Sequence, residues 1–206
     1  IEEDAELERQ ESNKKNILLY CGGFLNNGIT TSVINLLNHI DYSKYNVVLI
    51  ERQKMDPVFL SNISKVNKRV HILHRVGRMN MSIFEFYCNK YITRKGLRSN
   101  VAKQLLPEEL YEREYKRLFG NVKFNVVIDY SGYVPFWSLV FAHSTADRKV
   151  IYQHNDMLEE SRKIVNHKFK KRKKMNIIFP LYHMFDKVVS VAEYTKELNI
   201  KNLSEF

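Results

Sequence analysis

Three short stretches carry residue types whose spacing could do chemistry. The first is Gly22-Gly23-x4-Gly28, entered from the apolar run Asn16–Cys21 and left into Ile29–Ile40. Glycines there let backbone N–H groups approach a ligand, and the start of the following helix favours negative charge. The spacing is neither the dinucleotide fingerprint Gly-x-Gly-x-x-Gly nor the phosphate loop ending in Gly-Lys-Ser/Thr, so a tight turn without a ligand is the competing reading. The second stretch is His154-Asn155-Asp156, emerging from Val150–Gln153. A histidine there can donate a hydrogen bond to a hydroxyl or to developing charge; the alternative is a ring satisfied by loop backbone. The third runs from Arg162 to Lys174 and holds eight bases and no acid, among them Lys168, Lys170, Lys171, Arg172, Lys173 and Lys174. Ile164, Val165, Phe169 and Met175 interleave with those bases. As a helix this run would suit an anionic membrane surface; a solvated loop, a polyanionic acceptor and nucleic acid are the alternatives.

Other residues exclude chemistries. Glu51 closes the second apolar run 23 residues after Gly28, where a nicotinamide enzyme holds its ribose. The glycine fingerprint is missing, however, and a strand-end carboxylate is expected to be solvated or paired with Arg52. His71 and His74 lie three apart in a strand, on opposite faces, and His143, His167 and His183 fall in predicted helices. No metal and no cofactor are expected. There is no Gly-x-Ser-x-Gly elbow and no carboxylate pair spaced for glycoside hydrolysis. The aromatic residues Phe84, Phe86, Tyr87 and Tyr91 lie away from the basic run, so no base-stacking platform is expected and nucleic acid is disfavoured as a partner.

The elements that must position these groups follow from hydrophobic periodicity. Asn16–Cys21, Tyr45–Ile50, Arg69–Leu73, Phe124–Asp129, Lys149–Gln153 and Lys187–Val191 read as strands. Between them, helices are expected over Ile29–Ile40, where Val33, Leu36, Leu37 and Ile40 share a face, and over Pro57–Val66, which Pro57 can start. Residues 80–118 read as two helical pieces broken near Gly96 and Pro107. Further helices are expected from Pro135 to about His143, over Asn176–Phe185 and from near Ala192. Strands alternating with helices predict an α/β fold: one Rossmann-like parallel sheet with helices on both faces. Ligands then belong at the carboxyl ends of the strands, where strand order reverses.

Bulk properties agree. The chain has 206 residues, 44% of them hydrophobic, enough to bury one full-sized core. No stretch approaches the roughly 18 to 20 apolar residues that span a bilayer, and two cysteines without metal-ligand spacing fit a reducing cytoplasm. Residues 1–12 hold six acids against one base, leaving the remainder with 32 bases and 17 acids. Such a basic body suits an anionic partner, whether acidic lipid or a phosphate-rich substrate, with simple solubility as the alternative.

With those residues in view, Lys15–Leu37 and Asp41–Val47 together resemble the opening of family 4 retaining glycosyltransferases of the GT-B fold. Ile151-Tyr-Gln-His154-Asn155 resembles the strand-then-histidine feature of that family's N-terminal domain. Phe185–Glu193, with Asn199, resembles the domain's closing phrase of aspartate, apolar strand and serine. The resemblance covers residues 15–206, although 76–122 adds nothing to it. It implies two Rossmann-like domains with the active site between them, the nucleotide-sugar donor held mostly by the C-terminal one and the acceptor by the N-terminal one. By match, His154 would serve catalysis at the donor sugar. Gly22, Gly23, Asn27, Gly28, Tyr130, Asn155, Ser190 and Glu193 would contact donor phosphate or acceptor. The opening is especially similar to enzymes of Gram-positive cell-surface polymer synthesis, teichoic acid or capsule, some of which are fused to a glycerophosphate-transferring domain. An acidic linker at 1–15 would suit such a fusion.

The family's C-terminal domain, with its basic pair and spaced glutamates, has no counterpart in residues 1–206. The expectation is therefore an acceptor-side half that is inactive alone, working in the cytoplasm or peripherally on the inner face of the plasma membrane. Its partners would be a nucleotide-sugar donor and a cell-surface polymer or lipid-linked acceptor. A non-catalytic module binding a phosphorylated polymer or an anionic membrane is the second class, and a dehydrogenase fragment the third.

Overall fold

Residue types set the sheet in this computed structural model, which describes residues 13–52, 56–164, 169 and 171–204. Strands β1 (Lys15–Tyr20), β2 (Tyr45–Glu51) and β4 (Val126–Asp129) carry continuous apolar runs over 17–20, 47–50 and 126–128 because both of their faces are covered. With β3 (His71–His74), β5 (Arg148–Gln153) and β6 (Lys187–Ser190) they form one parallel sheet in the order β3-β2-β1-β4-β5-β6. Strand order reverses between β1 and β4, where Leu18 pairs with Val127 and Tyr20 with Asp129. The α/β Rossmann-like expectation is met.

Period-two alternation sends neighbours to different cores. Leu19, Val47 and Leu49 pack under α1 (Gly28–His39) and α2 (Pro57–Ile63), with Val33, Leu37 and Phe59. Leu18, Val48 and Ile50 face the opposite layer. That layer holds α3 (Ile83–Lys95), α4 (Asn100–Gln104), α5 (Glu108–Phe119), α6 (Pro135–Ala142), α7 (Met157–Arg162) and α8 (Arg172–Ile178). A 3₁₀ segment over Phe179–Met184 and α9 (Glu193–Leu203) complete it.

Several boundaries differ from expectation, each for a local reason. Residues 80–118 form three helices rather than two, broken as expected at Gly96 and Pro107, because Ser99 caps an additional short one through the Ala102 amide. The helix expected over Asn176–Phe185 starts at Arg172 and tightens into 3₁₀ at Phe179. Pro180 has no N–H for the Asn176 carbonyl four residues back, and that carbonyl instead accepts from Leu97 N at 2.9 Å. The basic run is not one helix: α7 ends at Arg162 and α8 begins at Arg172. Among the described residues, no helix is long and apolar enough to cross a membrane.

Candidate functional site

The loop after β1 is held from below. Gly22, Gly23 and Phe24 all take positive φ (99°, 96° and 49°). Oε1 of Glu51 accepts from Cys21 N at 3.3 Å and Gly23 N at 3.2 Å, and from Cys21 Sγ at 3.2 Å. Glu51 is 1% exposed. This corrects the expectation of a solvated carboxylate beside Arg52: Glu51 is a brace for the glycine loop, not a free ribose ligand. Burial, then the Glu51 charge, pushes the Cys21 thiol well above its ordinary range, which disfavours the thiolate.

A second buried carboxylate braces the loop after β4. Asp129 accepts from Gly132 N at 2.9 Å and from Ser138 Oγ at 2.6 Å. Burial pushes its carboxyl up to about 6, against the pull of those bonds. Gly132 has φ 62°, and a Cβ there would sit 2.1 Å from the Tyr152 carbonyl oxygen. A Cβ on Gly22 would meet Ser131 Oγ at 2.9 Å, so the two braced loops touch where only glycine fits.

His154 follows β5 and leans on the β4 loop. Its Nε2 lies 2.5 Å from the Tyr130 carbonyl oxygen. A carbonyl only accepts, so Nε2 carries the proton; burial lowers the ring's pKa, leaving a neutral imidazole with its lone pair on Nδ1. The expected donation from a neutral ring to a ligand hydroxyl has no donor left. What the ring offers is an acceptor. Asn155 donates to Tyr133 OH at 3.0 Å, while its own carbonyl accepts from Asn199 Nδ2 at 3.0 Å. Asn199 Oδ1 also accepts from Met157 N, and Asp156 caps α7 through the Leu158 and Glu159 amides. The His154–Asp156 turn is thus fixed at both ends.

These loops open into a cleft of about 670 Å³ at the carboxyl ends of β1, β4 and β5. Gly22, Asn27, Gly28, His154 and Asn155 line it, as do Ser32 and Ser131, which sequence reasoning did not single out. Asn27 caps α1 by accepting from Thr30 N at 3.0 Å, and α1 has no acid in its first turn. Lys171 and Lys174, for which either a membrane surface or a polyanionic acceptor was expected, line the cleft. Lys171 pairs with buried Glu160 and lies 4.8 Å from the Tyr133 ring centroid. Burial alone would raise the Glu160 carboxyl; Lys163 and Lys171 outweigh it and hold it below its ordinary value.

Four expected contacts point elsewhere. Gly23 gives its amide to Glu51, and Tyr130 is buried with its hydroxyl 2.6 Å from Ser32 Oγ. Ser190 donates to Gln153 at 2.9 Å, and exposed Glu193 pairs with Lys196 at 2.6 Å. Arg172 stacks over Phe169 and Lys173 is exposed, while Lys168 and Lys170 lie outside the described residues. Among the described residues no cluster of His, Cys, Asp and Glu could hold a metal ion, and no Asp or Glu lines the cleft. Its chemistry is therefore that of a glycine-floored, cation-walled recess with one imidazole acceptor. Such a recess fits a phosphate-bearing ligand with hydroxyls. No protein-family model and no curated protein matches the chain.

Proposed function

We propose that this chain is the acceptor-side half of a retaining glycosyltransferase. It would move a sugar from a nucleotide-sugar donor to a cell-surface polymer or lipid-linked acceptor, the donor being held by a second domain. The observation that carries the reading is the cleft at the strand-order reversal, with Gly22 and Gly28 on one wall, His154 and Asn155 on another, and two lysines at its edge. Negative charge builds on the departing diphosphate during such a transfer, and fixed dipoles and cations stabilise it without reorganising. Lys171, Lys174 and the acid-free start of α1 supply that environment. The acceptor hydroxyl must be oriented and relieved of its proton as the glycosidic bond forms, and His154 Nδ1 can accept its hydrogen bond.

The test is a titration of the isotopically labelled chain with a nucleotide-sugar panel and with phosphorylated cell-surface polymer, followed by amide NMR. Polymer should shift the Gly22, Gly28 and Asn155 resonances, and Lys174→Gln should weaken the effect. Sugar transfer should appear only when a donor-binding domain is supplied. Shifts confined to surfaces away from this cleft would overturn the assignment. Cleft binding that never leads to transfer, even with the donor half present, would favour the non-catalytic binding module.

A further inference from the structure

The outward face of α3 turns several large apolar side chains away from the core. Ile83 is 81% exposed, Phe84 71% and Tyr87 61%, with Phe86 also exposed. Single exposed apolar side chains are ordinary, but four within the first two turns of one helix form a patch. The inward face is fully used by Cys88 and Ile92, and Glu85 is turned to Ser82 N and Arg113, so neither explains the outward aromatics. At 100° per residue, Ile83, Tyr87, Lys90 and Arg94 fall on one outward stripe. The helix therefore presents an aromatic tip followed by cations, with Lys90 Nζ 5.7 Å from the Phe86 ring centroid.

α3 itself carries Lys90, Arg94 and Lys95, with exposed Glu108, Glu109 and Glu112 on the neighbouring α5 and a single acid of its own, Glu85. That acid is neutralised by Arg113 at 2.6 Å. Aromatic groups followed along the same helix by Lys90, Arg94 and Lys95 match the boundary between lipid headgroups and acyl chains, where rings sit among headgroups and bases meet negative charge. We propose that the outward face of α3 docks the protein on an anionic lipid bilayer, with Phe84 and Tyr87 entering the headgroup region and Lys90, Arg94 and Lys95 pairing with lipid charge. The docking element is thus α3 and not the Arg162–Lys174 run, two of whose lysines face the cleft. The proposal requires no transferase activity and stands or falls apart from it.

Sedimentation with phosphatidylcholine vesicles, with and without phosphatidylglycerol, tests the idea. Wild type should pellet with the anionic vesicles only, and less as salt is raised. Each base near such a surface is worth about fivefold in partitioning, so Lys90→Gln/Arg94→Gln/Lys95→Gln should weaken binding about 10²-fold. Phe84→Ser/Tyr87→Ser should weaken it with no charge change, with circular dichroism confirming the fold of both variants. The sole tryptophan, Trp137, is 4% exposed and stacked on Tyr20, so Phe84→Trp adds a reporter whose emission should shift to the blue on anionic vesicles. The proposal is overturned if wild type ignores anionic vesicles at low salt or if the emission of the Phe84→Trp variant is unmoved. It also fails if Lys170→Gln/Arg172→Gln/Lys173→Gln costs as much as the α3 triple variant. Binding to soluble polyglutamate without binding to vesicles would point to an acidic protein partner and overturn it equally.

Discussion

Replacing His154 by glutamine keeps a side-chain N–H within reach of the Tyr130 carbonyl but removes the Nδ1 lone pair. If Nδ1 orients the acceptor hydroxyl, His154→Gln should fold normally and lower kcat about 10²-fold in a transfer assay that includes the donor-binding half. His154→Ala should lose turnover and, in addition, about 1 kcal/mol of stability from the missing hydrogen bond. Turnover retained by His154→Gln would make the ring a structural prop. Glycines of the same loop should separate as sharply. Gly28 has no atom within 4 Å of a built Cβ, and its φ is not positive, so Gly28→Ala should change stability by less than about 1 kcal/mol. Gly22→Ala forces a side chain into φ 99° against Ser131 and should cost about 1–3 kcal/mol in urea unfolding. Equal costs at the two positions would contradict the geometry. Gly22, Gly28, His154 and Asn155 were legible before the structure because strand ends announce a cleft. Glu51 was not, since a carboxylate at a strand end reads alike whether it faces water or folds back on amides 28 and 30 residues away. Tyr130, Ser190 and Glu193 were named by resemblance, and their side chains are taken by Ser32, Gln153 and Lys196.

At the scale of elements, the β4 loop carries a titration with a definite sign. Unfolded Asp129 ionises near its ordinary 3.8, whereas the folded carboxyl waits until about 6. The folded state therefore binds the proton across this window, and stability falls as pH rises through it. At neutral pH the ionised, buried group costs on the order of 3 kcal/mol. Asp129→Asn should flatten the pH dependence of the urea midpoint between those two values; an unchanged slope would assign the titration elsewhere. Glu160 acts in the opposite sense: its contribution is lost as pH falls below its ordinary 4.5, which overlaps only the lower end of the Asp129 window. The expected strands Asn16–Cys21 and Tyr45–Ile50 lie within one residue of β1 and β2 because doubly covered parallel strands read as unbroken apolar runs. Helix ends were less legible. The shift from α to 3₁₀ at Phe179 combines Pro180, which the sequence shows, with the Asn176 carbonyl claimed by Leu97, 79 residues earlier, which no local pattern encodes.

Across the whole molecule, the order β3-β2-β1-β4-β5-β6 has a consequence for synthesis. β1 meets β2 some 30 residues later, but its other neighbour, β4, lies 109 residues on, with Ile17 beside Val126. A ribosome adding roughly 5–20 residues per second leaves that second edge of β1 unpaired for about 5–20 s. During this interval an apolar strand edge is free to pair with another nascent chain. Ribosome-bound chains stopped at Lys123 should therefore bind chaperones and resist release into soluble form, while chains extended past Gln153 should not. If both lengths behave alike, β1 is protected by something other than β4. The same reversal of strand order that opens the cleft is thus the step that the growing chain must wait longest to complete.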